Sequence, residues 1–109
     1  MHELGLAMEV IELVSQRSGG ARIKRVVVEV GALAAVLPDA LEFCFGLAAE
    51  GTPAEGAALA MVTVPGRARC AACGAEVILM QPLGECACGG VALEWLSGFE
   101  LTVREMEVA

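Results

Sequence analysis

From residue 3 to about residue 17, Leu4, Met8, Ile11 and Val14 recur at helical spacing with Leu6, Val10 and Leu13 beside them, while Glu9, Glu12 and Gln16 form a polar stripe. This pattern predicts an amphipathic helix. Ser18-Gly19-Gly20 ends it, glycine supplying the left-handed terminal turn and Arg17 lying near the negative end of the dipole. Over residues 22–30 the period changes, with Val26, Val28 and Val30 alternating against Arg25, Val27 and Glu29, which predicts a strand with one buried face that Gly31 terminates. Residues 32–36 are small and apolar, compatible with a loop or a helical turn. Pro38 then opens a second helix at a first-turn position, Asp39 and Glu42 suit its positive end, and Gly51 closes it. Cys44, between Phe43 and Phe45 in that helix, is expected to behave as a small core hydrophobe.

After a linker at 52–56, Leu59, Met61 and Thr63 alternate with Ala60, Val62 and Val64 in a second strand, which Pro65-Gly66 breaks. Val77-Ile78-Leu79-Met80 reads as a short apolar strand and Pro82-Leu83-Gly84 as the turn back. Cys70, Cys73, Cys86 and Cys88 in this stretch have the spacing of metal ligands, and residues 91–96 supply a strand near that metal, with Trp95 packed over it or over the joint with the rest of the chain. Residues 99–108 form a third strand of the main sheet, whose alternation changes phase near Arg104, as a bulge would make it do. The expected fold class is α+β: two helices packed on a small three-stranded sheet, with an inserted zinc-ribbon-like β-hairpin domain. Residues 1–65 plus 98–109 form the α+β domain and residues 66–97 the insert.

A chain of 109 residues is one domain, or one domain carrying a small insert. Its net charge of −7 and pI near 4.6, with only small basic groups such as Arg22-Lys24-Arg25, offer no stripe for a phosphate backbone, so nucleic acid is excluded as a partner. A protein partner fits better. No apolar run approaches a bilayer's thickness, so no membrane association is expected. Met1-His2-Glu3 begins no basic n-region and no signal-peptide core, which places the chain in a reducing cytoplasm.

In that compartment the cysteines acquire meaning. Cys70-Ala-Ala-Cys73 is answered by Cys86-Ala-Cys88, and Gly74 and Gly89 follow each pair where a knuckle turns sharply. Four thiolates close a tetrahedral zinc site and leave no position for substrate, so the zinc is structural. The rival readings are a redox pair and inert buried thiols. The second pair is C-x-C, so Cys86 must reach the metal from a tighter turn.

His2, the only histidine, stands beside a free amine, and the bulk of a histidine at position 2 keeps Met1 in place. It could be a solvated surface residue. Alternatively, the Met1 α-amine, the His2 amide nitrogen and His2 Nδ1 close a five-membered and a six-membered chelate ring, a planar nitrogen set suited to Ni(II) or Cu(II). Glu3 could add its amide or carboxylate, or serve as an ordinary first-turn acid. No nucleophile has a histidine beside it, so the chain is read as no enzyme.

Met1-His2-Glu3-Leu4 running into a helix, Val28-Glu29-Val30-Gly31, the four-cysteine insert, and Ser97-Gly98-Phe99-Glu100-Leu101 to Glu105-Met106-Glu107-Val108 together resemble the HypA/HybF family of hydrogenase nickel-insertion accessory proteins. The likeness covers nearly the whole chain. It implies a nickel metallochaperone with Ni(II) as cargo on Met1, His2 and Glu3, through the amine, the imidazole and backbone amides. It further implies structural Zn(II) on Cys70, Cys73, Cys86 and Cys88. The implied partners are a hydrogenase-maturation GTPase, the large subunit of a [NiFe]-hydrogenase and, in some bacteria, urease accessory proteins, with a homodimer left open. The family usually has C-x-x-C at the second knuckle, and this chain departs from it at Cys86. The alternative is a zinc-stapled interaction adaptor that delivers no metal.

Overall fold

A computed structural model describes residues 2–109. Helix α1 spans His2–Ser18 and buries Ala7, Val10, Ile11 and Val14. Met8, expected on the buried face, is 57% exposed. At about 100° per residue it falls a quarter turn from Ala7, and the small Ala7 marks the contact line instead. Gly19 and Gly20 end the helix with positive φ, as expected. Helix α2 spans Pro38–Ala48, with proline in its first turn, and turns Leu41 and Phe45 inward. Cys44 is half-buried and Phe43 is 68% exposed, so only one edge of the Phe43-Cys44-Phe45 run reaches the core.

Strand β1 spans Ile23–Gly31, β2 Ala58–Val64 and β6 Leu101–Val108, and they form a sheet in the order β2-β1-β6. Gly31 N–H donates to the Glu100 carbonyl at one end and Ala109 N–H to the Arg22 carbonyl at the other, so β6 runs antiparallel to β1. Val26 and Val28 are buried as expected, and Val27 on the opposite face is buried as well. The expectation of one buried face thus fails at Val27 alone, since Arg25 on the same face is exposed and Glu29 half-buried. Along β6, burial follows Leu101 and Val103 and then shifts to Met106, the phase change expected near Arg104.

The second sheet has the order β4-β3-β5, from β3 Gly66–Cys70, β4 Glu76–Leu79 and β5 Leu93–Ser97. Strand β3 is a finding: Pro65-Gly66 does not simply break the chain but starts the central strand. It pairs antiparallel with both neighbours, Ala68 opposite Val77 on one side and Trp95 on the other. Its inward residues are Gly66, Ala68 and Cys70, too small to register as an apolar alternation. Outward, Arg67 forms a two-pronged bond with the Glu76 carboxylate at 2.9 and 2.6 Å. Trp95 stacks edge-to-face on Phe99 at 5.9 Å. The chain divides into two compact units, Met1–Glu29 with Val36–Val62 and Leu101–Ala109, and Val30–Ala35 with Thr63–Glu100.

Candidate metal centre

Each cysteine pair sits on a hydrogen-bonded turn. In the first, Cys70 N–H donates to Ala75 O at 2.9 Å and Gly74 N–H to Cys70 O at 2.8 Å; in the second, Cys86 N–H donates to Gly90 O at 2.9 Å and Gly89 N–H to Cys86 O at 2.8 Å. Gly74 and Gly89 adopt φ of 78° and 91°, the left-handed region these turns require of the residue after each pair. Ala71 N–H, donating to Ala92 O, ties the first knuckle to the chain entering β5.

The four sulfurs lie within 4.8 Å of one another, with Cys70–Cys88 at 3.7 Å and Cys73–Cys86 at 3.6 Å. A tetrahedron with metal–sulfur bonds of about 2.3 Å has edges of about 3.8 Å, so the cluster has the dimensions of a four-thiolate zinc site. Disulfide sulfurs would stand about 2.05 Å apart. The C-x-C spacing does not exclude Cys86: it is buried, and its sulfur is paired with that of Cys73. Gly90 carries no signal of a role in the sequence. A Cβ there would stand 2.8 Å from Cys70 Sγ and 3.3 Å from Cys88 Sγ, so the second glycine of Gly89-Gly90 clears room for the sulfurs. Cys44 is not among them.

Backbone N–H groups at Cys73 and Ala72, with help from the Cys88 and Cys73 thiols, lower Cys70 to about 7 against the pull of burial. Gly90 N–H acts to lower Cys88, but the sulfurs of Cys70, Cys73 and Cys86 outweigh it and push Cys88 up to about 12. A thiol binds metal as its thiolate, so capture must expel the Cys88 proton at any physiological pH, and below about 7 the Cys70 proton as well. Affinity therefore falls as pH falls. A plot of log affinity against pH is expected to gain one further proton of slope on crossing below about pH 7, measured by competition with a chromophoric chelator.

His2, the first described residue of α1, exposes 54% of its side chain, and its Nδ1 lies 3.8 Å from Glu3 Oε2. That oxygen accepts the Leu37 N–H at 3.1 Å. This bond is the leading cause of a Glu3 carboxyl held below its ordinary range, seconded by the residue's own N–H and, more weakly, by His2. The contact with Leu37 has no signal in the sequence, since 34 residues separate the partners. Met1, the expected amine donor, lies outside the described residues.

A sequence model described as "Hydrogenase/urease nickel incorporation, metallochaperone, hypA" matches residues 1–108. The hydrogenase maturation factor HypA of Trichormus variabilis is 44% identical over 108 residues, spanning 99% of this chain and 96% of that protein. Its counterpart in Geotalea uraniireducens is 42% identical over 109 residues, spanning 99% of each. The solution structure of the Ni metallochaperone HypA from Helicobacter pylori superposes with a TM-score of 0.70, covering 99% of this chain and 97% of that one, at 23% identity, a likeness of fold.

Proposed function

This chain belongs to the HypA family of hydrogenase and urease nickel-incorporation metallochaperones, and we propose that it binds Ni(II) at its amino terminus and delivers it during maturation of the [NiFe]-hydrogenase large subunit. The observation that carries the proposal is the placement of the sole imidazole. His2 stands exposed on the first turn of α1, where backbone N–H groups have no preceding carbonyl to meet them. Amide nitrogens that must lose a proton to bind metal are available at such an end, and nowhere further along the helix. The donor set is the Met1 amine, the His2 imidazole and the His2 and Glu3 amides, with four nitrogens suiting planar Ni(II). An exposed site built from one imidazole and neighbouring backbone nitrogens is open to an incoming client ligand, so the ion can pass on by ligand exchange.

Cys70, Cys73, Cys86 and Cys88 hold structural Zn(II), whose task is to fix the fold around the knuckles. By role the chain divides into residues 1–65 plus 98–109 for nickel and 66–97 for zinc, with residues 30–35, 63–65 and 98–100 packing into the zinc unit. The partners are a maturation GTPase, the hydrogenase large subunit and, where urease is the client, its accessory proteins, in the cytoplasm. No described helix is long and apolar enough to cross a membrane.

An adaptor that delivers no metal is the rival. It is favoured by the apolar side chains that the zinc unit leaves exposed, Ile78, Met80 and Leu83, the last at 83%. Calorimetric titration of untagged protein with Ni(II) separates the two. His2→Ala is expected to weaken nickel binding roughly 100-fold, a ligand mattering at least as much as the outer partners of a metal site. A chain extended before Met1 should be comparably impaired. Wild-type affinity in both variants leaves only the adaptor.

A further inference from the structure

One carboxylate oxygen links the first turn of α1 to the residue that precedes α2. Glu3 Oε2 accepts the Leu37 N–H at 3.1 Å, and the same atom lies 3.8 Å from His2 Nδ1, beyond a hydrogen bond but within ion-pair range. The Glu3 side chain is only 14% exposed, whereas the imidazole next to it is open to solvent. Helix α2 has use for an acceptor at this place. Its N-cap residue, Leu37, has no side chain able to cap, and Pro38 follows in the first turn. The positive end of the α2 dipole also favours a carboxylate.

Building on the nickel reading above, we propose that the Glu3 side chain is a positioning residue for nickel capture: its carboxylate fastens the first turn of α1 to the start of α2, ordering the His2 imidazole and the first-turn amides without itself binding the metal. Glu3 thus divides its labour, the carboxylate going to Leu37 and the backbone nitrogen to nickel once the proton it shares with that carboxylate is lost. A carboxylate that swung round to coordinate would uncap α2. Left in place, it removes freedom from a chain end before the ion arrives, so less order has to be created on binding.

The test uses the full untagged chain as wild type, Glu3→Gln, Glu3→Ala and His2→Ala. By nuclear magnetic resonance, the Leu37 amide should exchange slowly in wild type, in His2→Ala and in Glu3→Gln, whose amide oxygen can still accept, and quickly in Glu3→Ala. In nickel titrations Glu3→Ala should keep the wild-type visible absorption spectrum, because the donors are unchanged, while its affinity drops roughly tenfold, the scale of one lost hydrogen bond to a charged group. Glu3→Gln should recover most of that loss. A Leu37 amide indifferent to Glu3→Ala overturns the proposal. So does a changed nickel spectrum in Glu3→Ala, which would make the carboxylate a ligand. Wild-type nickel binding in His2→Ala would instead remove the carrier reading, and the positioning role with it, while the Leu37 amide would still show whether Glu3 ties the helices together.

Discussion

Stripping the metal from the four-cysteine cluster, or replacing Cys70 by serine, is expected to unfold strands β3, β4 and β5 while α1, α2 and β1 persist. The reason lies in where the buried apolar surface is. The larger unit buries Val10, Ile11, Val14, Ile23, Val26, Val28, Leu41 and Phe45, a continuous core of branched and aromatic side chains. In the second unit the buried apolar residues are Leu33, Ala68, Cys70 and Cys86, and two of those are thiols of the cluster. A unit of about 40 residues with so little core does not hold itself together by burial and needs a metal or a crosslink. With zinc on the cluster, as proposed above, the ion's binding energy is the unit's folding energy, on the order of 10 kcal/mol for a structural site near neutral pH. Cys70 is the most telling position because it ends the central strand and is 1% exposed. Serine at this point loses a ligand and leaves a hydroxyl among sulfurs. Amide hydrogen exchange should show protection vanishing across residues 66–97 after chelation and in Cys70→Ser, with α1 and α2 retaining theirs. Slow exchange persisting in β3 after complete removal of zinc would show that the metal is not what holds this sheet.

The same distribution of side chains explains what could be read from the amino acids in advance. Helix α1 was legible because its buried stripe is made of medium and large residues at helical period, and α2 because Pro38 and Asp39 mark its start. The metal ligands were legible because thiol chemistry fixes residue type and spacing together, and the left-handed glycines after each pair follow from the turn that spacing demands. Strand β3 was not legible. Its inward positions are Gly66, Ala68 and Cys70, so its alternation is of small against charged residues and carries almost no hydrophobic signal. Met8 lies about a quarter turn off the buried face, because the small Ala7 centres the face that the larger side chain suggests. Glu3 shows a further limit: its place on α1 was apparent, but its partner Leu37 depends on how two helices meet, and no local pattern encodes that.

Replacing Gly31 by alanine is expected to destabilise the protein by upwards of about 4 kcal/mol, more than most single substitutions achieve. Gly31 closes β1, and a Cβ at this residue would overlap the carbonyl of Gly98 and sit 3.0 Å from the Phe99 nitrogen. Both obstacles are backbone, which cannot swing aside as a long side chain can. The Gly98 carbonyl is also committed, since it accepts the Leu33 N–H at 2.8 Å, and Gly31 itself donates to Glu100 at 2.8 Å. Moving the Gly98 segment away breaks these bonds together. Nor can Gly98 give way on its other side, because it already holds φ of 114° and a methyl on it would stand 2.5 Å from the Gly66 Cα. Three glycines thus let three backbone segments approach within a distance no side chain tolerates, and the Leu33 side chain, 3% exposed, closes the space over Gly66. Gly5→Ala provides the control. It lies in α1 with nothing within 4 Å of the added carbon, so it should stabilise by about 0.5–1 kcal/mol through helix propensity alone. Urea denaturation of the zinc-loaded protein should therefore show opposite shifts of midpoint for the two alanines. A Gly31→Ala midpoint equal to wild type would mean that the β1 end and the Gly98 segment are not in the close contact described.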